Sequence, residues 1–228
     1  RLTDVTGVQT CALPICFGSH RCGKCGVGLP EGSLDVCPDC IAGGSRLLFS
    51  LAVGPYAPPL SDMLRALKFG GRKDVATVLA VQLSELILTD SRATEGWTVV
   101  PVPLSPASLA RRGYNQAEVL AELVSRATGL PLDTKVLRKN RETQDQATLS
   151  RLYRLSNLRG AFDARADLAK GGRFLLIDDI TTTGSTLEEC AATLRAAGAV
   201  RVAGAVVAKS LKGRLADGPA DQDESASV

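Results

Sequence analysis

The chain has 228 residues, of which 45% are hydrophobic and 22% are charged, and its formal net charge is +3. These values are typical of a globular protein with one ordinary domain and a small appendage, and no apolar run is long enough to span a membrane. The mild positive charge permits an anionic ligand without favouring nucleic acid. The single histidine, His20, lies far from the main body of the sequence, which excludes Ser-His-Asp and Cys-His catalysis there.

The N-terminal segment VTGVQTCALPI, Val5–Ile15, resembles the translation of a common sequencing adapter. We interpret residues 1–15 as an assembly scar and leave them out of the fold; a genuine coil segment is the alternative. With such a scar the natural N-terminus would be missing and Cys11 would carry no meaning. No secretory signal is visible, so we expect a cytoplasmic protein.

Residues 16–45 contain two CxxC pairs in a turn-rich segment that is too poor in apolar residues to bury its own core. The four thiols are Cys22, Cys25, Cys37 and Cys40. Four cysteines at this spacing predict a structural, tetrahedral Zn²⁺ site in a reducing compartment. Disulfides or free thiols are the alternative. We therefore predict a small N-terminal zinc-ribbon-like module.

Residues 46–209 alternate between apolar runs and amphipathic segments, which predicts an α/β domain with a parallel sheet flanked by helices. Strands are predicted from Arg46, over Trp97–Val102, over Phe174–Ile177 and over Val200–Lys209. Helices are predicted over Leu60–Phe69, Asp74–Leu88, Asn115–Gly129 and from Ser185 to Gly198.

Two further segments are predicted to lack regular structure. Arg138–Phe162 is polar and carries six Arg or Lys residues, so we interpret much of it as a mobile basic loop that could close over a site. Residues 210–228 are rich in Asp, Gly, Pro, Ser and Ala and are predicted to be a disordered tail.

The stretch FLLIDDITTTGST, Phe174–Thr186, places Asp178 and Asp179 at the end of the third predicted strand. In an open parallel sheet, ligands bind at the carboxyl ends of the strands. The small, hydroxyl-rich loop that follows leads into a helix, whose N–H groups attract phosphate. Adjacent carboxylates suit hydroxyl groups or a metal ion rather than phosphate. The combination predicts a sugar phosphate site with Mg²⁺ close by.

The start of that helix has a second feature. Ser185 and Glu188 match the capping box S-x-x-E, which predicts where the helix begins.

Two other interpretations of the acidic pair were weighed. An ATPase strand that holds Mg²⁺ is excluded, because the chain contains no GxxxxGK[ST] loop. A strand end with two solvated acids and a Thr-rich turn is disfavoured by the ordered arrangement of thirteen positions.

FLLIDDITTTGST resembles the signature of type I phosphoribosyltransferases, which bind 5-phosphoribosyl-1-pyrophosphate (PRPP). The stretches Pro55–Asp74, VVPVPLSP, RRGYNQAEVLA and QATLSRLYRLSNLRGAF, together with the preceding CxxC pairs, are similar to the ComF-like branch. The resemblance covers nearly everything from Cys22 to Lys209. Thr181 departs from the signature, which usually has an apolar residue there.

The resemblance implies roles for individual residues. Asp178 and Asp179 would bind the ribose hydroxyls as the catalytic pair. The remaining PRPP contacts would come from Thr181, Thr182, Thr183, Gly184, Ser185 and Thr186, with the 5-phosphate held from Thr182 onward, and from Ser105, Arg111, Arg112 and Lys68 around the pyrophosphate. An ordinary solvated basic patch is the alternative for the three basic residues.

The implied activity is displacement of pyrophosphate from the anomeric carbon of PRPP by an unidentified acceptor, with Mg²⁺ as cofactor. The other hypothesis is a non-catalytic module in DNA uptake or competence that binds single-stranded DNA or a partner protein. Aromatic residues make up only 4% of the chain, and Tyr114 and Tyr153 are the candidates for base stacking. A homodimer is compatible with either hypothesis.

Overall fold

A computed structural model of the protein describes residues 20–43, 45–69, 71–93, 96–142 and 158–210. Its elements, in chain order, are α1 (Pro38–Ala42), β1 (Ser50–Pro55), α2 (Leu60–Phe69), α3 (Lys73–Thr89), β2 (Thr98–Pro101), α4 (Pro106–Arg112), α5 (Gln116–Thr128), β3 (Leu137–Lys139), β4 (Phe162–Ala164), α6 (Ala166–Ala169), β5 (Arg173–Thr181), α7 (Ser185–Ala196) and β6 (Arg201–Lys209). The predicted scar, the centre of the basic loop at 143–157 and the predicted tail from 211 onward lie outside these residues.

Four strands form a parallel sheet in the order β1-β6-β5-β2. Alternate residues of β5 enter different hydrophobic clusters, since Leu175 and Ile177 pack with α2, α3 and α5, whereas Leu176 packs with α7. A strand that is buried on both faces reads as a continuous apolar run. The predicted parallel sheet flanked by helices is confirmed.

Most helix predictions agree with the structure to within two residues, because capping residues and apolar periodicity are local signals. Asn115 caps the start of α5 and Gly129 ends it at φ 74°. The first strand begins at Ser50 instead of near Arg46, because Ser45 and Arg46 turn towards α7. The five short elements α1, α4, β3, β4 and α6 were not predicted.

The segment predicted as a basic loop is structured at both ends. β3 and β4 pair in an antiparallel two-stranded sheet, with Leu137 opposite Ala164 and Lys139 opposite Phe162. Phe162 and Leu137 are buried against the α7 face of the main sheet. Within the predicted loop, Arg138, Lys139 and Phe162 therefore belong to strands, whose pairing joins residues that are far apart in sequence. The loop interpretation of the centre stays a prediction.

The cysteine segment is docked on the outer edge of the main sheet, along β1. The Ser50 N–H donates to the Lys24 carbonyl at 2.8 Å, and the Arg21 guanidinium donates to the Ala52 carbonyl at 2.7 Å. Arg92, in the turn after α3, donates to the Gly23 carbonyl at 2.7 Å. These bonds cover part of an edge that would otherwise expose unpaired backbone groups.

Among the helices that the structure describes, none combines the length and the apolar character needed to cross a bilayer.

Candidate functional site

The acidic pair lies within β5 and not at its last residue. β5 continues to Thr181, because β6 pairs with it as far as Thr181 opposite Lys209. Asp178 and Asp179 are both partly buried near the carboxyl end of this central strand. The Asp179 N–H donates to an oxygen of Asp178 at 2.9 Å, and the Ile180 N–H donates to an oxygen of Asp179 at 2.8 Å. Each carboxylate is thus anchored through one oxygen to the strand itself.

The two carboxylates have different neighbours. The charge of Asp178 acts on Cys190 of α7, where burial and then this charge raise the pKa of the thiol. The charge of Asp179 acts on Tyr114, just before α5, where burial is the main cause of a raised pKa and the carboxylate adds to it. The pair therefore lies between the two helical layers, as the alternation of side chains along a strand requires.

Asp178 is the electrostatically strained member of the pair. Burial raises its pKa well above the ordinary value, and the neighbouring charge of Asp179 raises it further. The hydrogen bond from the Asp179 N–H and the positive charge of Lys68 act in the opposite direction without cancelling the increase. Hydroxyl donors or a cation placed at these oxygens would relieve the repulsion between the carboxylates.

The loop after β5 turns directly into a helix whose N-cap residue has no side chain to cap it. Gly184 is the N-cap of α7 at φ 82°, and its position has no side-chain cap. The Thr183 and Ser185 hydroxyls lie 2.7 Å apart, while Thr182 is exposed and Thr186 is half-buried. The first N–H groups of a helix carry partial positive charge and bind anions. This loop can accept a phosphate group.

The predicted capping box at this helix is wrong. Gly184, not Ser185, is the N-cap. The Glu188 carboxylate accepts hydrogen bonds from the Ser45 hydroxyl and, at 2.7 Å, from the Arg46 N–H. Glu188 thus joins α7 to the segment before β1. The spacing of residues along the helix cannot reveal a contact with so distant a segment.

Three residues predicted to contact PRPP are buried, and Ser185 is one of them at 6% exposure. Thr181, the last residue of β5, is 6% exposed, and its carbonyl accepts from the Ser210 N–H at 2.8 Å. Ser105 is 2% exposed, and its hydroxyl is the N-cap of α4, accepting from the Ser108 N–H at 3.2 Å. The Ser105 side chain therefore caps α4 and positions the turn after β2.

The four predicted zinc ligands converge. Their sulfur atoms all lie within 4.8 Å of one another, and those of Cys25 and Cys37 are 3.7 Å apart. A tetrahedral Zn²⁺ with metal–sulfur bonds of about 2.3 Å separates its sulfurs by about 3.8 Å. The cluster thus fits a zinc ion. His20 is not part of it, since its ring contacts the Pro30 carbonyl at 2.9 Å.

The protonation of these thiols also favours a metal. Burial raises the pKa of Cys22, but N–H groups of Cys37, Cys25 and Lys24 outweigh burial and lower it to about 6. Burial and the Cys25 charge raise the pKa of Cys40, and burial raises that of Cys25. Cys25 and Cys40 thus resist ionisation beside their neighbours, and a divalent cation bound by the thiolates would remove that obstacle.

Sequence comparison places this site in a family. Residues 107–224, about half of the chain, match the family described as "Phosphoribosyl transferase domain". "DNA utilization protein YhgH" of Escherichia coli K12 is 35% identical over 205 residues, which cover 88% of this chain and 82% of that protein. "Competence protein F" of Haemophilus influenzae is 32% identical, covering 78% and 79%. The chain belongs to the ComF-like family of phosphoribosyl transferase domains.

The comparisons found further similar proteins. "Competence protein ComFC" of Bacillus subtilis is 31% identical, covering 77% of this chain and 71% of that protein. Among solved structures, a glutamine PRPP amidotransferase from B. subtilis is similar at a TM-score of 0.42 and 23% identity, covering 63% of this chain and 30% of that one. The assignment rests on the sequence matches.

The basic residues predicted around the pyrophosphate of this ComF-like protein are not equivalent. Lys68, at the end of α2, is close enough to lower the pKa of Asp178. Arg111 is exposed, and its guanidinium lies 3.3 Å from the Glu142 carboxylate. Arg112 is half-buried at the end of α4. The structure therefore brings Lys68 to the acidic pair, whereas Arg111 is held by an ion pair with the flank of the basic loop.

The RRGYNQA stretch contributes three residues to which the sequence assigned no role at the site. Asn115 is buried, and its amide donates to the Val102 carbonyl at 3.0 Å, which ties α5 to the end of β2. The Tyr114 hydroxyl donates to the Leu67 carbonyl at the end of α2. Gln116 is 2% exposed, and its amide nitrogen has no hydrogen-bond partner among the residues that the structure describes. In the sequence, only the similarity of RRGYNQAEVLA to the ComF-like branch drew attention to these residues.

Proposed function

We propose that this ComF-like protein binds PRPP with Mg²⁺ and transfers its phosphoribosyl group to an acceptor, releasing pyrophosphate. The observation that supports this most is the glycine-capped N-terminus of α7 beside the acidic pair. A phosphate-attracting loop and two hydroxyl-attracting carboxylates lie within one strand–loop–helix unit. Their order matches the two ends of a ribose 5-phosphate.

In this proposal the 5-phosphate is bound by the backbone and hydroxyls from Thr182 to Thr186, and Asp178 and Asp179 accept hydrogen bonds from the ribose hydroxyls. Each carboxylate has one oxygen bonded to a backbone N–H, so the other can face the ligand. Lys68 would balance negative charge at the same edge of the sheet.

The donor set also fits Mg²⁺, which prefers carboxylate and phosphate oxygens. The acidic pair and the ligand's own oxygens would hold the ion, which would stabilise negative charge on the departing pyrophosphate. The protein's contribution is to position the ribose and to stabilise its developing positive charge with the acidic pair. These effects need no histidine base.

A second candidate function is a PRPP-fold module in DNA handling. It is favoured by the relatives, whose printed names refer to DNA utilization and competence. Single-stranded DNA or a protein of that machinery would then be the partner. Tyr114, one of the two stacking candidates, is instead engaged with the Leu67 carbonyl, and Tyr153 lies outside the described residues. Base stacking therefore has less support than sugar phosphate binding.

The remaining proposals concern the bound metal, the cellular location, the domain boundaries and the oligomeric state. We propose one structural Zn²⁺ per chain, bound by the four thiolates with no open position for a substrate. A cytoplasmic location, the domain boundaries at residues 16–45 and 46–209, and a homodimer remain predictions.

Calorimetric titration with PRPP and Mg²⁺ tests the proposed ligand. We expect the wild-type protein to bind and Asp178→Asn/Asp179→Asn to bind at least about tenfold more weakly, because charged hydrogen bonds contribute about 1.5–3 kcal/mol each. A folded, zinc-loaded protein that takes up no PRPP would refute the proposal, and single-stranded DNA would become the next ligand to titrate.

A glycine pair provides the matched control for the loop. Gly184 and Gly171 have φ of 82° and 75°, and a methyl group at either meets no atom of the described residues within 4 Å. Alanine at each position should therefore cost about the same stability, roughly 1–2 kcal/mol. Only Gly184→Ala should also weaken PRPP binding. Equal affinities of the two variants would argue against the loop as the phosphate site.

A further inference from the structure

Gln116 carries a hydrogen-bond donor that is buried without a partner. The residue is the first of α5, and only 2% of its surface is exposed. Within the described ranges of the chain, no acceptor lies at hydrogen-bond geometry to its amide nitrogen. Buried amide donors in folded proteins are nearly always paired, because an unpaired one reduces stability. An acceptor that arrives with a ligand would explain why this donor is left unpaired.

The start of α5 lies at the same edge of the sheet as the acidic pair. The Asn115 amide, one residue before Gln116, donates to the Val102 carbonyl at 3.0 Å. The Val102 N–H donates in turn to the Ile177 carbonyl at 2.9 Å, and Ile177 directly precedes Asp178. Two hydrogen bonds thus connect the start of α5 to the strand that carries the acidic pair.

Asp179 is the member of the pair that lies on the α5 side of the sheet. Side chains alternate along a strand, and Ile177, two residues earlier, packs with α2, α3 and α5. Tyr114 packs against the same hydrophobic cluster. Burial raises the pKa of Tyr114, the nearby Gln116 side chain lowers it, and the charge of Asp179 adds to the increase. Gln116, Tyr114 and Asp179 are therefore neighbours on one face of the sheet.

An amide donor complements what the acidic pair can offer to a sugar. Ionised carboxylates only accept hydrogen bonds, whereas a ligand hydroxyl both donates and accepts. A hydroxyl that donates to Asp179 keeps lone pairs that need a donor, and the Gln116 amide nitrogen can supply one. Glutamine has several rotatable side-chain bonds, and rotamer changes are common when a ligand binds. A rotation of this side chain is enough to turn its amide towards such a hydroxyl.

We propose that Gln116 is a further binding residue for the sugar of the ligand, and that its amide donates to the ribose hydroxyl that donates to Asp179. The buried donor gains a partner when this hydroxyl is bound. Gln116 therefore favours a sugar phosphate over phosphate alone. The inference rests on the proposed function and assigns part of the recognition of the sugar to a residue outside the strand–loop–helix unit.

Calorimetric titrations of Gln116→Met with ribose 5-phosphate and with inorganic phosphate test this role. Methionine is unbranched, like glutamine, but has no donor. We expect the affinity for ribose 5-phosphate to fall about three- to tenfold, the contribution of one neutral hydrogen bond, and the affinity for inorganic phosphate to stay unchanged. The midpoint of urea unfolding without ligand should not fall, because the substitution removes an unpaired donor from the interior.

Ser84→Ala is the matched control. Ser84 lies within α3 and is 4% exposed, and its hydroxyl likewise has no partner in the part of the chain that the structure describes. No residue of α3 belongs to the proposed site, so Ser84→Ala should bind both probes as wild type does. A loss of ribose 5-phosphate affinity in this variant as large as in Gln116→Met would point to a general effect on packing and overturn the role of Gln116.

The remaining outcomes separate this inference from the proposed function. Wild-type-like binding of ribose 5-phosphate by Gln116→Met, or an equal loss for both probes, would overturn the role of Gln116 and leave the sugar phosphate site in place. A lower urea midpoint of Gln116→Met would show that the donor is paired in the free protein and would also overturn it. A folded wild-type protein that binds no ribose 5-phosphate would overturn the proposed function as well.

Discussion

At the scale of single residues, the acidic pair is unfavourable for stability, because Asp178 is both partly buried and next to a second negative charge. Charge in such a place is costly unless a partner compensates it. Lys68 compensates it only in part. A site that binds hydroxyls or a cation gains affinity from this arrangement, because the ligand supplies the missing partners.

The raised pKa of Asp178 predicts a specific pH dependence of stability. Folding favours the protonated carboxyl, so its contribution is fully present below the ordinary pKa of 3.8 and is lost as pH rises through the raised folded value. Asp178→Asn should therefore lose less stability than wild type between pH 4 and neutrality, each pKa unit corresponding to about 1.4 kcal/mol. Urea unfolding at a series of pH values measures the difference.

An exposed aspartate provides the control for that series. Asp167 pairs with Arg165, whose hydrogen bond lowers the pKa of the carboxyl. Its contribution has the opposite sign and is lost as pH falls, so Asp167→Asn should not reproduce the effect of Asp178→Asn. Parallel profiles for wild type and Asp178→Asn would show that the buried carboxyl does not titrate as stated.

At the scale of elements, the edge strand β1 and the cysteine segment depend on one glycine for their close approach. A Cβ on Gly26 would lie 2.5 Å from the Ser50 carbonyl oxygen and 2.9 Å from the Ala52 nitrogen, both backbone atoms. Gly32 has a similar positive φ of 79°, but within the described part of the chain a Cβ there meets nothing within 4 Å. Alanine at Gly32 would therefore measure the free-energy cost of a positive φ alone. Alanine at Gly26 would add the cost of the close contact with the backbone of β1.

We expect Gly26→Ala to destabilise the protein by about 2–5 kcal/mol, the sum of a left-handed backbone and an overpacked contact. Gly32→Ala should cost only about 1–2 kcal/mol. Chemical denaturation measures both, and zinc content by elemental analysis shows whether the segment still folds. Equal losses would mean that the segment is not packed on β1 as described.

At the scale of the whole molecule, the N-terminal segment lacks a large apolar core, so its order should depend on the metal. Its buried hydrophobic cluster consists of Cys22, Val27 and Cys37, two of which are proposed ligands. Without the metal, burial and the charges of neighbouring thiols raise the pKa of Cys25 and Cys40 and so oppose their ionisation. Binding of zinc is then largely equivalent to folding of this segment.

Removal of zinc by a strong chelator is expected to expose the segment to trypsin before the rest of the chain. Arg21 is anchored to the Ala52 carbonyl and Lys24 lies between two ligand cysteines, so cleavage after these residues should become at least about tenfold faster. Cleavage after Arg126, which is on α5 of the main domain, is the internal reference. Unchanged cleavage after Arg21 and Lys24 would refute a structural zinc.

The sequence by itself determined the features that depend on neighbours along the chain. Apolar periodicity and capping residues located α2, α3 and α5, and the CxxC pairs identified four cysteines that converge in space. The run of apolar residues before Asp178 and Asp179 predicted a central parallel strand, and the family match confirmed the ComF-like assignment. Each of these signals depends on residues that are close together in the sequence. It can therefore be recognised without knowing which distant segments pack against them.

Only the tertiary structure decided the features that depend on residues far apart. β5 extends to Thr181 because β6 pairs with it that far. β3 and β4 form because two segments on either side of a long connection pair with each other. Ser105 is buried by its surroundings. Glu188 bonds to Ser45 instead of capping its own helix, because a distant segment supplies two donors that local spacing cannot reveal.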